Sequence, residues 1–196
     1  MYFSITLCDN QLYEEAKTFF LQQWRSDLLV RAPSSLIWAY LITQYMRKKW
    51  KTSFSFIEWV YSCEELFFST SHSEDMIWIA VDTKKVAIDL EYVRERNESL
   101  LQQVHIPDSQ HTPRENFYLQ RCAKECIVKF LNLNSKEMQE ISVVAFLKDY
   151  YYAINDWTLD SIMLMNYRWK EYPVHTIVKD WKVLAVLHEG KLYWNI

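Results

Sequence analysis

The stretch Val86-Ala87-Ile88-Asp89-Leu90-Glu91-Tyr92-Val93 (VAIDLEYV) reads as a β-strand with two acids on one face. Side chains along a strand alternate between faces, so Val86, Ile88, Leu90 and Tyr92 make an apolar face. Asp89 and Glu91 share the other, about 7 Å apart at roughly 3.3 Å of rise per residue. Two neighbouring carboxylates in an otherwise apolar segment repel each other and resist burial. Two readings are open for this segment alone. It is either a solvent-facing edge strand with solvated acids, or a site where a hard divalent cation neutralises both. Oxygen donors favour magnesium over zinc.

Upstream, MIWIAVD (76–82) is apolar and β-branched, and a polar turn at Thr83 and Lys84 predicts a hairpin with KKVAIDLEYV (84–93). LFFSTS (66–71) predicts a short strand running into His72, and FSFIEWVY (54–61) an extended segment. Apolar residues at helical spacing predict helices over 11–24 and 34–49, the second with serine caps and a basic end.

Downstream, residues 94–113 are polar, contain Pro107 and Pro113, and read as a linker before a helix at 114–131. Four strands are predicted beyond it: FLKDYYYAI (146–154), DSIMLMNY (160–167), VHTIVK (174–179) and KVLAVLHEGKLYWNI (182–196), the last a hairpin. The expected fold class is α+β, each half running helix first and then antiparallel strands. WIAVDTKKVAI and VLAVLHEGKLYW look alike as hairpins, through internal duplication or by chance.

The 196 residues suit one domain or two small lobes sharing a core, and the 50% hydrophobic content supplies that core. A net charge of -3 argues against a nucleic-acid binder. No apolar run approaches the roughly 20 residues of a membrane helix, and MYFSITLCDN lacks the pattern of a signal peptide. The expectation is a cytoplasmic protein away from membranes. Of Cys8, Cys63, Cys122 and Cys126 only the last two are close, at i,i+4, and free core thiols are expected. The chain's one glycine, Gly190, excludes phosphate loops of the GxGxxG or GxxxxGK[ST] type. Any phosphate would have to be held by side chains and a metal.

In the 114–131 helix, Leu119, Cys122, Ala123, Cys126, Ile127, Phe130 and Leu131 form the stripe expected to be buried. Glu125 and Lys129 sit at its rim, with Arg121 and Lys124 further towards solvent. The rim pair is either an ordinary i,i+4 salt bridge, worth about 0.3–0.5 kcal/mol, or a third metal ligand beside a phosphate contact. His72, between two serines, is either a turn residue or a catalyst. His105, His111, His175 and His188 are read as structural or exposed.

These elements have a distinctive order: Ser71-His72-Ser73, then Ala87-Ile88-Asp89-Leu90-Glu91, then Arg121 through Lys124-Glu125 to Lys129. The string resembles the 4'-phosphopantetheinyl transferase superfamily, with its SHS, G-[IV]-D-x-E and W-x-x-K-E-[AS]-x-x-K motifs. Length and layout resemble its monomeric, surfactin-synthetase-activating type. The motifs span about 60 central residues. The resemblance implies a pseudo-dimer of two similar lobes, each a helix packed on a small antiparallel sheet. The lobes would be residues 1–106, with SHS and the Asp-x-Glu strand, and 107–196, with the KE-x-x-x-K helix.

It further implies magnesium held by Asp89, Glu91 and Glu125, and coenzyme A as co-substrate. His72, Lys124, Lys129 and Arg31 would contact coenzyme A, and Glu125 would take the proton of a carrier-protein serine. His72 and Lys129 join Glu125 in the implied catalytic set. The partner would be an acyl or peptidyl carrier protein, docking near Arg114, Arg121, Lys124 and Lys136.

The sequence departs from the pattern at Ala87, where the family has glycine, and at Arg121, where it has tryptophan. Tyr61-Ser62-Cys63-Glu64 replaces a Gly-Lys-Pro element. Arg47, Lys48, Lys49 and Lys51 are less specific candidates for nucleotide contacts. Two other functions compete: a non-catalytic relative that binds a carrier or synthase, and an unrelated magnesium-dependent phosphohydrolase using the same acids.

Overall fold

The protein, described here by a computed structural model, is defined at residues 2–7, 9–23, 29, 32–50, 66–154 and 157–189. The segment expected at 54–61, the Tyr61-Ser62-Cys63-Glu64 stretch, Arg31, Lys51, Cys8, Cys63 and the outer arm of the last hairpin lie outside the described residues.

Strand β1 (Tyr2–Leu7) leads to helices α1 (Asn10–Gln22) and α2 (Pro33–Trp50). Strands β2 (Phe67–Ser73), β3 (Met76–Asp82) and β4 (Val86–Tyr92) follow, then the short α3 (Glu98–Leu101) and the long α4 (Pro113–Leu131). A 3-10 turn at Ser135–Glu140 precedes β5 (Ser142–Ile154), β6 (Trp157–Tyr167), β7 (Lys170–Lys179) and β8 (Lys182–His188). The class is mixed α+β, as expected. The strands form a three-stranded sheet, β1-β3-β2, and a five-stranded sheet, β4-β8-β7-β6-β5.

This topology corrects the hairpin expected at Thr83–Lys84. β3 pairs with β1 and β2, whereas β4 pairs antiparallel with β8, Val86 against His188 and Tyr92 against Lys182. The chain passes from one sheet to the other at this connection. A two-residue hairpin prefers a primed turn, with positive φ at its centre, and none of residues 83–85 has one. The tight turns lie elsewhere. Arg168 and Trp169 (φ 48° and 68°) join β6 to β7, and Asp180 and Trp181 (51° and 59°) join β7 to β8. With its only glycine at 190, the chain makes these turns from residues that carry a Cβ. The Asp-x-Glu strand, assigned from the sequence to the first lobe, is hydrogen-bonded within the sheet of the second.

Four layers result. Ile37 and Ile42 of α2 pack on Ile77, Ile79 and Val81 of β3. The opposite face of β3, with Met76, Trp78 and Ala80, packs on Ile88 and Leu90 of β4 and Leu184 and Val186 of β8. On the outer face of the five-stranded sheet, Ala87, Val183 and Ala185 meet Leu119, Cys122, Ala123, Cys126 and Ile127 of α4. This is the predicted stripe. Helix α4 starts with a capping box between Thr112 and Glu115 and ends at Asn132 in the left-handed region (φ 57°, ψ 47°). Both described thiols, Cys122 and Cys126, are free and buried.

The edge of β4 that faces away from β8 lies against β2. Serine side chains make the join: Ser69 Oγ accepts from Ile88 N (2.9 Å), Ser71 Oγ from Leu90 N (3.0 Å) and Ser73 Oγ from Tyr92 N (3.2 Å). The constant offset means the two strands run parallel. β4 is therefore an edge strand whose edge is covered.

Candidate functional site

The acids project from β4 towards α4, on the face shared by Ala87. This disposes of the solvated edge-strand reading for Asp89, which is 6% exposed. Its Oδ1 accepts from Ser71 Oγ at 2.9 Å and from Lys129 Nζ at 2.7 Å. Its Oδ2 is buried and accepts no hydrogen bond from any described residue. The Cys122 thiol lies close enough for burial and then Asp89 to raise its pKa, but the thiol bonds Val183 O at 3.9 Å.

Lys129 is anchored from three sides. Besides Asp89, its ammonium donates to Ile88 O (3.0 Å) and Thr70 O (3.2 Å), so helix and both sheets meet there. Burial alone would lower its pKa, but Asp89 outweighs that and raises it. An ammonium has three donors, and all three are used. The i,i+4 pairing with Glu125 gives way to a pair with Asp89.

Glu91 is more open. Ser73 Oγ donates to it at 3.4 Å, and Arg121 Nε stands 3.3 Å from its Oε1. The Arg121 N–H is not aimed at an acceptor, so the contact is a charge pair without a hydrogen bond. Arg121 thus turns to the acid strand instead of standing clear in solvent, as its position on the helix predicted. Glu125 is half-buried, and its pKa is raised first by burial and then by Asp89 and Glu91, against the pull of Lys129 and Arg121. The three acids therefore share one electrostatic field across strand and helix. Half-buried Lys124 has its pKa lowered by burial.

His72 is exposed, on the face of β2 opposite the buried Ser71 and Ser73, and makes none of the contacts to the acids. Arg114 pairs with Glu95 at 2.8 Å, and Arg47 bonds Gln23 at 3.2 Å. His175 is buried and its pKa falls to about 4 through desolvation and then His188. His188 pairs with Asp82 at 3.3 Å and His111 with Glu115 at 3.8 Å, while His105 is exposed.

Among the described residues, no group of three His, Cys, Asp or Glu side chains is arranged to hold a metal ion. That does not disqualify magnesium, which usually takes one or two carboxylates and completes its shell with water and substrate phosphates. The donor set fits on one observation: a buried carboxylate oxygen without a hydrogen-bond donor, Asp89 Oδ2, is an acceptor suited to a cation.

Ser71 and Ser73 were missed from the sequence as partners of the acids. The signal was available in the hydroxyl alternation Ser69, Ser71, Ser73, which places three small acceptors on one strand face. An open groove of about 490 Å³ lies on α1 and α2, lined by Glu14, Glu15, Phe19 and Tyr40, and none of the site residues borders it. Its acidic lip does not suit a phosphate. No described helix is long and apolar enough to cross a membrane. No protein-family model matches the chain, and no curated protein matches its sequence significantly.

Proposed function

We propose that the protein is a magnesium-dependent 4'-phosphopantetheinyl transferase acting on an acyl or peptidyl carrier protein. The observation that carries this reading is the buried Asp89 carboxylate, with one oxygen lacking a hydrogen-bond donor among the described residues, whose charge, with that of Glu91, acts on Glu125. The motif order around Ser71–Ser73, Asp89, Glu91, Glu125 and Lys129 gives it a reaction class. The layering supports a pseudo-dimer: two sheets face each other, each covered on its outer side by helix. In this reading a monomer suffices, working in the cytoplasm.

Asp89 and Glu125, with Glu91 beside them, would hold magnesium, which when bound neutralises charge on the pyrophosphate of coenzyme A. The carrier serine oxygen forms a bond to the β-phosphorus, the bond to 3',5'-ADP breaks, and Glu125 takes the serine proton. Lys129 lies beside Asp89, where a phosphate oxygen can replace one of its present acceptors. Exposed His72 is free to reach a more distant phosphate. Lys124, half-buried, borders the same helix face, and Arg31 completes the proposed contacts to coenzyme A. Lys124 and Lys136 offer charge to an acidic carrier, whereas Arg121 and Arg114 are already paired.

The test is intact-mass analysis of an apo-carrier incubated with the protein, magnesium and coenzyme A. A gain of one phosphopantetheine is expected, lost in Asp89→Ala and Glu125→Ala. No gain across fatty acid, polyketide and peptide carriers would sink the proposal.

A second reading, a non-catalytic relative that binds a carrier, is favoured by Lys129, whose three donors are all engaged. Calorimetry separates the two, since only the transferase should give magnesium-dependent heat with coenzyme A.

A further inference from the structure

Ser69, Ser71 and Ser73 each accept a main-chain N–H of β4, but they are not equivalent. Among the described residues Ser69 has only its bond from Ile88 N, at 2.9 Å. Ser71 accepts from Leu90 N at 3.0 Å and also donates to Asp89 Oδ1 at 2.9 Å. Ser73 repeats this more loosely, donating to Glu91 at 3.4 Å. All three hydroxyls are on buried residues, 6–7% exposed. A hydroxyl that accepts a fixed amide has its single O–H left for one acceptor. For Ser71 that acceptor is a carboxylate in the other sheet.

We propose that Ser71 is a positioning residue for Asp89. Its hydroxyl, locked by Leu90 N–H, holds Oδ1 and so fixes the rotation of the carboxylate, with the buried Oδ2 left without a donor among the described residues. The two-sheet seam then does more than close an open edge: it sets the orientation of the buried acid. Ser73 acts likewise on Glu91 with a weaker bond. The effect on catalysis rests on the transferase reading; the contact itself does not.

Ser69 provides the control. Ser69→Ala and Ser71→Ala each remove one acceptor from the seam, and only the second also takes a donor from Asp89, leaving Lys129. Ser71→Ala should unfold at a lower denaturant concentration than Ser69→Ala, because it alone also loses a bond to Asp89. Ser71→Ala should lower kcat by about 10- to 100-fold with KM for the carrier unchanged, the usual scale for groups that orient a ligand-binding side chain. Ser69→Ala should keep kcat within about twofold of the parent. Equal losses in the two variants would overturn the proposal. Where Ser71→Ala does not fold, Ser71→Cys fills the same space with a poor donor, and it should lower kcat by about tenfold.

A double-mutant cycle in urea decides the contact without any activity. Ser71→Ala with Asp89→Ala should be coupled by about tenfold in the folding equilibrium constant. Ser69→Ala with Asp89→Ala should be additive to within about twofold. An additive Ser71–Asp89 cycle would refute the positioning role. If the parent protein modifies no carrier, the transferase reading fails alone, and the coupling energy still tests whether Ser71 holds Asp89.

Discussion

Lys129 Nζ and Ser71 Oγ converge on the same oxygen of Asp89, at 2.7 and 2.9 Å, one from the helix and one from the opposite sheet. The carboxylate is therefore asymmetric, with one oxygen doubly engaged and the other without a hydrogen-bond donor among the described residues. Such a group is expensive to bury and informative when disturbed.

Removing the cation should be costly. Lys129→Met leaves Asp89 buried with Ser71 as its only hydrogen-bond donor among the described residues. Breaking a buried pair costs about 3–5 kcal/mol, and the 32% exposure of the Lys129 side chain reduces this. A loss of about 2–3 kcal/mol is expected in urea unfolding. Asp89→Asn, which removes the charge and keeps the shape, should cost less while abolishing transfer.

Stability should depend on pH through His175. Burial holds its folded pKa at about 4, below the ordinary 6.5, so the unfolded chain takes up a proton first as pH falls. The His175 contribution is complete above pH 6.5 and is lost between pH 6.5 and about 4, by about 3 kcal/mol in all. Unfolding midpoints measured at pH 7 and pH 4.5 should show this slope, and His175→Gln should flatten it.

The turns without glycine can be relieved. Trp169 is 98% exposed and sits at φ 68°, so its side chain buries nothing while its Cβ opposes the backbone. Trp169→Gly should raise stability by about 0.5–1 kcal/mol, the left-handed penalty less the added entropy of glycine. Thermal unfolding checks the direction.

At the start of α4, Thr112 Oγ1 accepts from Glu115 N at 3.2 Å, and Glu115 accepts in return from Thr112 N at 2.8 Å. Thr112→Ala should cost about 1 kcal/mol. Because α4 carries Glu125 and Lys129, amide exchange in its first turn should quicken before exchange near Cys126.

The strand VAIDLEYV and the α4 stripe were readable because local periodicity alone decides which face is buried. The partner of β4 was not. Thr83 and Lys84 look like a hairpin turn, but the choice of Leu187 and Val186 as neighbours is made by contacts about a hundred residues away along the chain. The burial of Asp89 was hidden for the same reason, since Ser71, Lys129 and Cys122 reach it from separate elements. Lys129 sits on the helix rim as read, but of its two open readings the i,i+4 salt bridge to Glu125 is replaced by a pair with Asp89. Helical spacing offers Glu125, whereas tertiary packing brings Asp89 within 2.7 Å.

The long-range pairing of β4 has a consequence during synthesis. Tyr92 and Val86 wait for Lys182 and His188, which a ribosome adding about 5–20 residues per second supplies roughly 5–20 s later. Throughout that interval Ile88 and Leu90 lack their sheet neighbours, and the nascent chain presents a sticky edge. β2, already made, can hold the opposite edge of β4 through its hydroxyls, so that only the edge awaiting β8 stays open. A strand of serines is well suited to such a clasp, because it grips main-chain amides without offering a continuous ladder to a second copy of the chain.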